Sequence, residues 1–300
     1  MSIIYERAQA VAETASRIKA IGLNSDADAS DPEKVARARA ILAELAARKE
    51  LFPIEHFPQI KPGLTGFYRL IEDEDGDNSL NIVVSSIHYT MPGLHSHPGW
   101  ALIAGVNGAE YNHLYTRIDN RSVEGEGRLR KNRDVTVGTG DVLFLSRHDY
   151  HTVSYDGREP AIHLHFYGRN RDNPHPQGEH FASADAETYT RGRQDHPRRH
   201  KGVPKVGIAE IREAAAHGGL EVILIAAEGT FPGAIPGAET IYRPEQAALS
   251  GQDIPVLLVG EAPDILVVAE HLARQRRRPI LRAGFAEALE ALHAPVPATA

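Results

Sequence analysis

Two histidines placed two residues apart, His95 and His97, stand in the run Gly93-Leu94-His95-Ser96-His97-Pro98-Gly99-Trp100 of this 300-residue sequence. Side chains alternate across a strand with period two, so on a strand these imidazoles share one face. Side by side they supply half of a site for a divalent ion of intermediate softness. The apolar run from Trp100 to Val106 reads as a buried strand, with Gly105 and Gly108 placed where it turns. A third imidazole comes from His151. Gly140-Asp141 precedes the apolar Val142-Leu143-Phe144-Leu145, and a short polar turn then leads into His151-Thr152-Val153, a second strand pair.

The composition limits what such a site can belong to. A hydrophobic share of 42% and a charged share of 24% are those of an ordinary globular protein. The length allows two domains. A formal charge of -7 and an isoelectric point near 6.1 argue against a nucleic-acid partner. No apolar run is long enough for a transmembrane helix, so no membrane association is expected. The N-terminus lacks a basic region and an apolar core, so no signal peptide is expected. There is no cysteine, which excludes disulfides, thiolate ligands and a cysteine nucleophile, and fits a cytoplasmic location.

The elements that must carry the histidines follow from periodicity. Ile4 to Ala20 spaces Ala, Val and Ile three to four apart, an amphipathic helix. A second helix starts with Asp31 as cap and Pro32 in the first turn, and runs to about Glu50 before Phe52-Pro53 and Phe57-Pro58. From Gly66 to Gly168 the signals are of strands: Phe67–Ile71, Leu80–Ile87, the HxH segment, Glu110–Arg117, a polar loop from Asp119 to Asp134, the His151 segment, and Ala161–Tyr167. That spacing predicts a β-barrel or sandwich. Residues 170–203, rich in Asn, Asp, Pro, Gly, Arg and His, read as a polar linker whose His175, His180, His196 and His200 are solvated. Beyond them helices over 208–216, 264–275 and 285–292 alternate with strands over 220–226, 255–259 and 279–281, a small parallel-sheet α/β domain.

The two histidine segments together resemble the paired signature motifs of the cupin superfamily, double-stranded β-helix (jelly-roll) barrels. That pattern carries a glutamate ligand three or four residues after HxH. Here those positions are Ala101 and Leu102, so the implied set is His95, His97 and His151 with no protein carboxylate. The glutamate-free HxH and the strand His163-Leu164-His165-Phe166-Tyr167 resemble the thiol dioxygenase branch, the cysteine and 3-mercaptopropionate dioxygenases. The resemblance implies iron(II), an outer-sphere triad at His163, His165 and Tyr167, and Arg69 for a substrate carboxylate. His163 departs from that family's serine. The family's cysteine–tyrosine crosslink cannot form here, since there is no cysteine. Residues 231–238, Phe-Pro-Gly-Ala-Ile-Pro-Gly-Ala, resemble the turn of rhodanese domains, yet Gly260-Glu261-Ala262-Pro263-Asp264 stands where their sulfur-carrying cysteine would lie. The implied plan is a helical segment over 1–58, a cupin barrel over 59–169, a linker over 170–203, an inactive rhodanese-like domain over 204–294 and a tail over 295–300.

The chemistry implied is oxidation of a small thiol-bearing acid to its sulfinate by O2. Three imidazoles leave positions open on iron(II), and a thiol held there becomes thiolate. The sulfinic acid is two oxygen atoms up the sulfur oxidation ladder. Arg69 would clamp a carboxylate, Tyr167 backed by His165 would donate a hydrogen bond, and Trp100 would wall the pocket or lie in the core. His163 could be a ligand, an outer-sphere group or core. His113 and His148 read as surface or satisfied loop histidines, and His88 could approach the barrel mouth. Alternatives are a cupin enzyme with another metal and a non-thiol substrate, or a non-catalytic cupin sensor; on any of these readings the protein could be a homo-oligomer.

Overall fold

The computed structural model describes residues 2–58, 65–73, 77–86, 89–90, 93–123, 126–169, 179–183, 188–191, 200–227, 235–247, 254–273 and 279–293. His88, His175, His196 and residues 231–234 of the rhodanese-like turn lie outside them. For His180 and His200 only the backbone is described. The chain divides into two compact units, Glu13–Glu50 with Gln59–His200, and Met1–Ala12 with Leu51–Pro58 and Lys201–Ala300. Among the described residues no helix is long and apolar enough to cross a membrane.

The N-terminal helix α1 spans Ile3–Lys19, and α2 spans Asp26–Ala29. Asp31 accepts hydrogen bonds from the N–H groups of Glu33 and Lys34, with Pro32 in the first turn, so α3 begins at the expected place and spans Pro32–Ala47. The strands of the first unit are β1 (Thr65–Glu72), β2 (Ser79–Ser85), β3 (Tyr89–Thr90), β4 (Leu94–His95), β5 (Ala101–Asn107) and β6 (Glu110–Arg117). They continue with β7 (Glu126–Val137), β8 (Val142–Leu145), β9 (Tyr150–Tyr155), β10 (Ala161–Tyr167), β11 (His180–Ser183) and β12 (Thr188–Arg191).

Two antiparallel sheets result. One runs β1-β2-β10-β5-β8; the other runs β3-β9-β4-β11-β12-β7-β6, and a further β9–β6 pairing closes it on itself. Residues opposed in an antiparallel ladder share a face. Tyr167 therefore lies in a row with Ser79 and Ala101, His165 with Arg69, Asn81 and Ile103, and His163 with Val83 and Gly105. These rows face the interior, where Ala101, Ile103, Leu143, Leu145 and Tyr167 pack with Leu114 and Val137 of the other sheet. The alternate residues face outward, and α3 covers that side through β5, β8 and β10 with Ala38, Leu42, Leu45 and Ala46 buried. Burial on both faces is why the strand from Ala101 to Val106 shows no alternation.

Three expectations fail here. The polar loop over 119–134 is instead mostly β7, a strand from Glu126 that pairs with β6 from Glu110↔Val137 to Arg117↔Leu129. Its Arg128, Arg130, Lys131 and Arg133 are exposed, so the ladder and the buried Leu129 and Val137, not hydrophobicity, hold it. The linker over 170–203 also contributes structure. Phe181 on β11 is buried among Leu94, Leu129 and Tyr150, a contribution of about 1.5–3 kcal/mol for one large apolar side chain. Gly105, expected at a turn, sits inside β5; the turn is at Gly108, whose φ of +79° suits glycine.

The second unit carries a four-stranded parallel sheet built from β14 (Glu221–Ile225), β15 (Ala238–Ile241), β16 (Val256–Val259) and β17 (Ile280–Ala283), in the order β15-β14-β16-β17. A short strand, β13 (His200–Gly202), comes before it in the chain. Helices α4 (Ile208–His217) and α6 (Phe285–His293) bury one face with Ile211, Ala214, Ala288 and Ala291. Helix α5 (Ala262–Ala273) buries the other with Ile265, Val268 and Leu272. The alternation of strands and helices expected from the sequence is present; β15 is a strand that its exposed Glu239 and Thr240 hid. Residues expected in a helical segment over 1–58 belong partly to this unit, because Ile4 is in its core and the Tyr5 hydroxyl donates to the Gly219 carbonyl at 2.7 Å. Arg7 is buried against His56 Nδ1 at 2.9 Å and the Leu51 carbonyl at 3.2 Å, and that burial lowers its pKa to about 10. Burial, then the Arg7 charge, push the His56 pKa down.

Candidate metal centre

Cross-strand pairing sets His95 opposite His151, β4 against β9, on the interior face. His97 is not on the strand: β4 ends at His95, and the chain bends before β5. The bend still brings the third ring in. Ring centroids lie 4.3 Å apart for His95–His151 and 5.2 Å apart for both His95–His97 and His97–His151. One ring nitrogen of each falls within 4.8 Å of the other two, and all three residues are at most 3% exposed.

The tautomer of one ring follows from its neighbour. His151 Nδ1 lies 2.8 Å from Asn112 Oδ1, an acceptor, so the proton is on Nδ1 and the Nε2 lone pair is free to point inward. Nε2 lies 3.1 Å from His97 Nε2. Buried, convergent nitrogen donors without a carboxylate fit a divalent transition metal and not calcium or magnesium, which take oxygen ligands. His95, His97 and His151 would hold it.

What fixes the HxH bend was not visible in the sequence. Ser96 N–H donates to the Glu179 carbonyl at 2.9 Å, and Glu179 N–H donates to Ser96 Oγ at 3.0 Å. The Glu179 carboxylate accepts from Arg117 Nη1 at 3.1 Å, from Arg121 Nη1 at 3.0 Å and from the Tyr150 hydroxyl. Burial works to raise the Glu179 pKa, but the Tyr150 hydrogen bond and the two guanidinium charges outweigh it and hold the carboxyl below its usual range. The strap from Glu179 to Ser183 thus clamps the residue between two candidate ligands.

The closing strand places the remaining candidates. Tyr167 is 2% exposed, with its ring 5.3 Å from that of His97 and its hydroxyl 3.1 Å from His165 Nδ1. His165 Nε2 is 3.8 Å from Glu110 Oε2, a carboxylate that favours a proton on that nitrogen. His163 does not join the pair. Its Nε2 donates to the Val137 carbonyl at 3.0 Å, and its buried Nδ1 has no hydrogen-bond partner among the described residues. The serine–histidine contact of the resembled triad is therefore absent at His163.

Arg69 reaches the interior face, and a register shift between Arg69 and Ile71 turns Glu72 to the same side, opposite Ser79. The two side chains pair, Nε to Oε2, at 2.8 Å. Trp100 corrects an expectation: it is no pocket wall. Even-numbered residues of this strand face outward, and Trp100 stacks on Phe166 at 5.6 Å while its Nε1 donates to the Leu23 carbonyl at 2.7 Å. His113 and His148 are surface residues as expected, paired with Asp134 and Asp26. Two residues escaped sequence reasoning altogether. Glu110 and Asn112 are each 1% exposed, and Asn112 Nδ2 donates to Glu110 Oε1 at 3.0 Å.

No protein-family model and no curated protein matches the sequence. Solved structures do. A cupin superfamily protein from Desulfitobacterium hafniense is 12% identical over 39% of this chain and 87% of its own, with a TM-score of 0.28. A conserved protein with a double-stranded β-helix domain from Klebsiella pneumoniae is 13% identical over 44% of this chain and 96% of its own, with a TM-score of 0.32. Hydroquinone 1,2-dioxygenase from a Sphingomonas species is 13% identical over 36% of this chain and 66% of its own, with a TM-score of 0.28. Likeness at that level carries no argument about activity. Among the solved structures this chain is similar to are thus a cupin superfamily protein, a protein with a double-stranded β-helix domain and an enzyme.

Proposed function

We propose that the chain is an iron(II)-dependent dioxygenase that converts a small thiol-bearing acid, cysteine or 3-mercaptopropionate, to its sulfinic acid with O2. The observation that carries this reading is the buried, carboxylate-free convergence of His95, His97 and His151 beside the Tyr167 ring. Iron(II) in that set supplies the Lewis acidity that makes a thiol a thiolate and the electrons that activate O2. The balance is simple: one thiol and one O2 give one sulfinic acid, with no external reductant.

The chain's own residues do the rest. Burial of the three histidines would keep bulk water away from a metal held by them. Tyr167, whose ring lies 5.3 Å from that of His97, holds a hydroxyl proton that His165 Nδ1, 3.1 Å away, exchanges and directs. Arg69, on the same interior face as His165, takes the substrate carboxylate in place of the Glu72 carboxylate it now holds. We read the second unit as a rhodanese-like domain; without a cysteine it has no thiol to carry sulfur and no sulfurtransferase activity.

The test is O2 uptake by protein loaded anaerobically with Fe(II) and offered cysteine, cysteamine and 3-mercaptopropionate in turn. Uptake with the two acids and little with cysteamine, which lacks a carboxylate, supports both the chemistry and the role of Arg69. Equal uptake with all three removes Arg69 from substrate binding. No uptake with any thiol, despite bound iron, leaves another metal and a non-thiol substrate, or a sensor.

A further inference from the structure

Two buried polar groups that the proposed chemistry does not use, Asn112 and Glu110, link His151 to His165. His151 Nδ1–H donates to Asn112 Oδ1 at 2.8 Å, Asn112 Nδ2 donates to Glu110 Oε1 at 3.0 Å, and Glu110 Oε2 lies 3.8 Å from His165 Nε2. Glu110, Asn112 and Leu114 alternate along β6 with exposed Tyr111 and half-buried His113, so period two alone turns both polar groups inward. A carboxylate at 1% exposure is costly unless its oxygens are matched. Here each oxygen faces a different half of the site.

We propose that Glu110 and Asn112 are positioning residues for the three-histidine centre. Asn112 fixes the tautomer and ring plane of His151, and Glu110 orients Asn112 and His165 together. The argument is one of direction. The Asn112 amide has two ways to lie, and only the one with Oδ1 toward His151 lets that ring keep its proton on Nδ1 and present Nε2 inward. Glu110 Oε1 accepts only, so it selects that way by requiring Nδ2 on its own side. The other carboxylate oxygen lies 3.8 Å from His165 Nε2, a charge contact and not a hydrogen bond, and its negative charge favours a proton there, with His165 Nδ1 left to face the Tyr167 hydroxyl. One buried carboxylate thus sets both a candidate ligand and the tyrosine beside it. A partner on the far nitrogen of a ligand histidine is a recurrent way to set ring orientation and basicity; here an amide stands between the ring and the carboxylate.

This inference rests on the metal-centre reading, and the experiment separates the two. Co(II), with its visible spectrum, is titrated into the metal-free full chain against a competing chelator, for wild type, Asn112→Ala, Glu110→Ala and the double variant Glu110→Gln/Asn112→Asp. Both alanine variants are expected to bind Co(II) about 10- to 100-fold more weakly. The double variant exchanges acid and amide, keeps an acceptor at His151 and a donor toward it from position 110, and is expected to recover most of the affinity. Nitrogen NMR of the metal-free chains gives a second readout. Wild type is expected to carry protons on His151 Nδ1 and His165 Nε2; Asn112→Ala changes the first and Glu110→Ala the second. Wild-type affinity and unchanged tautomers in both alanine variants overturn the positioning roles while leaving the metal centre standing. Wild type that binds no Co(II) removes the metal centre and this inference with it. Normal Co(II) effects without thiol oxidation sink only the thiol reading.

Discussion

Replacing His97 with alanine is expected to cut Co(II) and Fe(II) affinity by roughly two to three orders of magnitude and to abolish thiol-dependent O2 uptake. The size follows from site energetics. Structural zinc sites with four ligands bind with about 10–16 kcal/mol, roughly 3–4 kcal/mol per ligand, and each 1.4 kcal/mol is about tenfold. With three imidazoles and no carboxylate, nothing in the set replaces the lost one. The chain itself should stay folded, because both ladders that frame the site persist and His97 lies in the bend between strands. Thermal unfolding checks both parts at once. Metal at about 100 times its dissociation constant should stabilise wild type by about 2.7 kcal/mol and the variant hardly at all, while the two metal-free chains melt close together. A variant that binds metal like wild type would remove His97 from the centre.

The second large effect concerns the frame. Gly105 sits in β5 directly opposite His163, and a Cβ there would lie 2.0 Å from the Gly138 carbonyl oxygen. Backbone cannot step aside as a side chain can. Gly105 N–H donates to the Asp141 carbonyl at 3.1 Å, and its own carbonyl accepts from Gly140 N–H at 2.9 Å, so both strands are pinned at that point. Gly105→Ala is therefore expected to cost at least the 1–3 kcal/mol typical of overpacking, about the upper end of that range. Denaturant titration measures it. Gly140→Ala, with open space around the added Cβ but a φ of +86°, should cost less, about 1 kcal/mol, as backbone strain without a clash. Equal losses would mean that β5 and the Gly138 turn are not tightly apposed.

The convergence of His95, His97 and His151 and the strands around it were legible because HxH and a downstream histidine flank short, clearly bounded apolar runs such as Val142–Leu145 and Ala161–Tyr167. Period two along β5, applied one residue further, puts Trp100 on the face away from Ala101 and Ile103; sequence proximity to the histidines suggested the pocket, and alternation denies it. The charged strand β7 was missed because its stability lies in backbone pairing that composition does not report. The strap at Glu179–Ser183 was missed because one buried phenylalanine and two hydrogen bonds to Ser96 carry it within a polar segment. Glu110 and Asn112 carry no signal in the sequence beyond being polar residues of a strand. Only the opposing sheet, which brings His165 and His151 to them, gives them partners. The Arg69–Glu72 pair depends on a bulge that no residue type announces.

The proposed activity is tested most directly by following the oxygen atoms. Fe(II)-loaded protein is given 3-mercaptopropionate or cysteine under isotopically heavy O2 in ordinary water, and the product is weighed by mass spectrometry. A thiol dioxygenase built on His95, His97 and His151 predicts sulfinate carrying two heavy oxygens, formed in proportion to the O2 consumed and absent with His97→Ala. Disulfide as the product, or sulfinate whose oxygen comes from water, would contradict it.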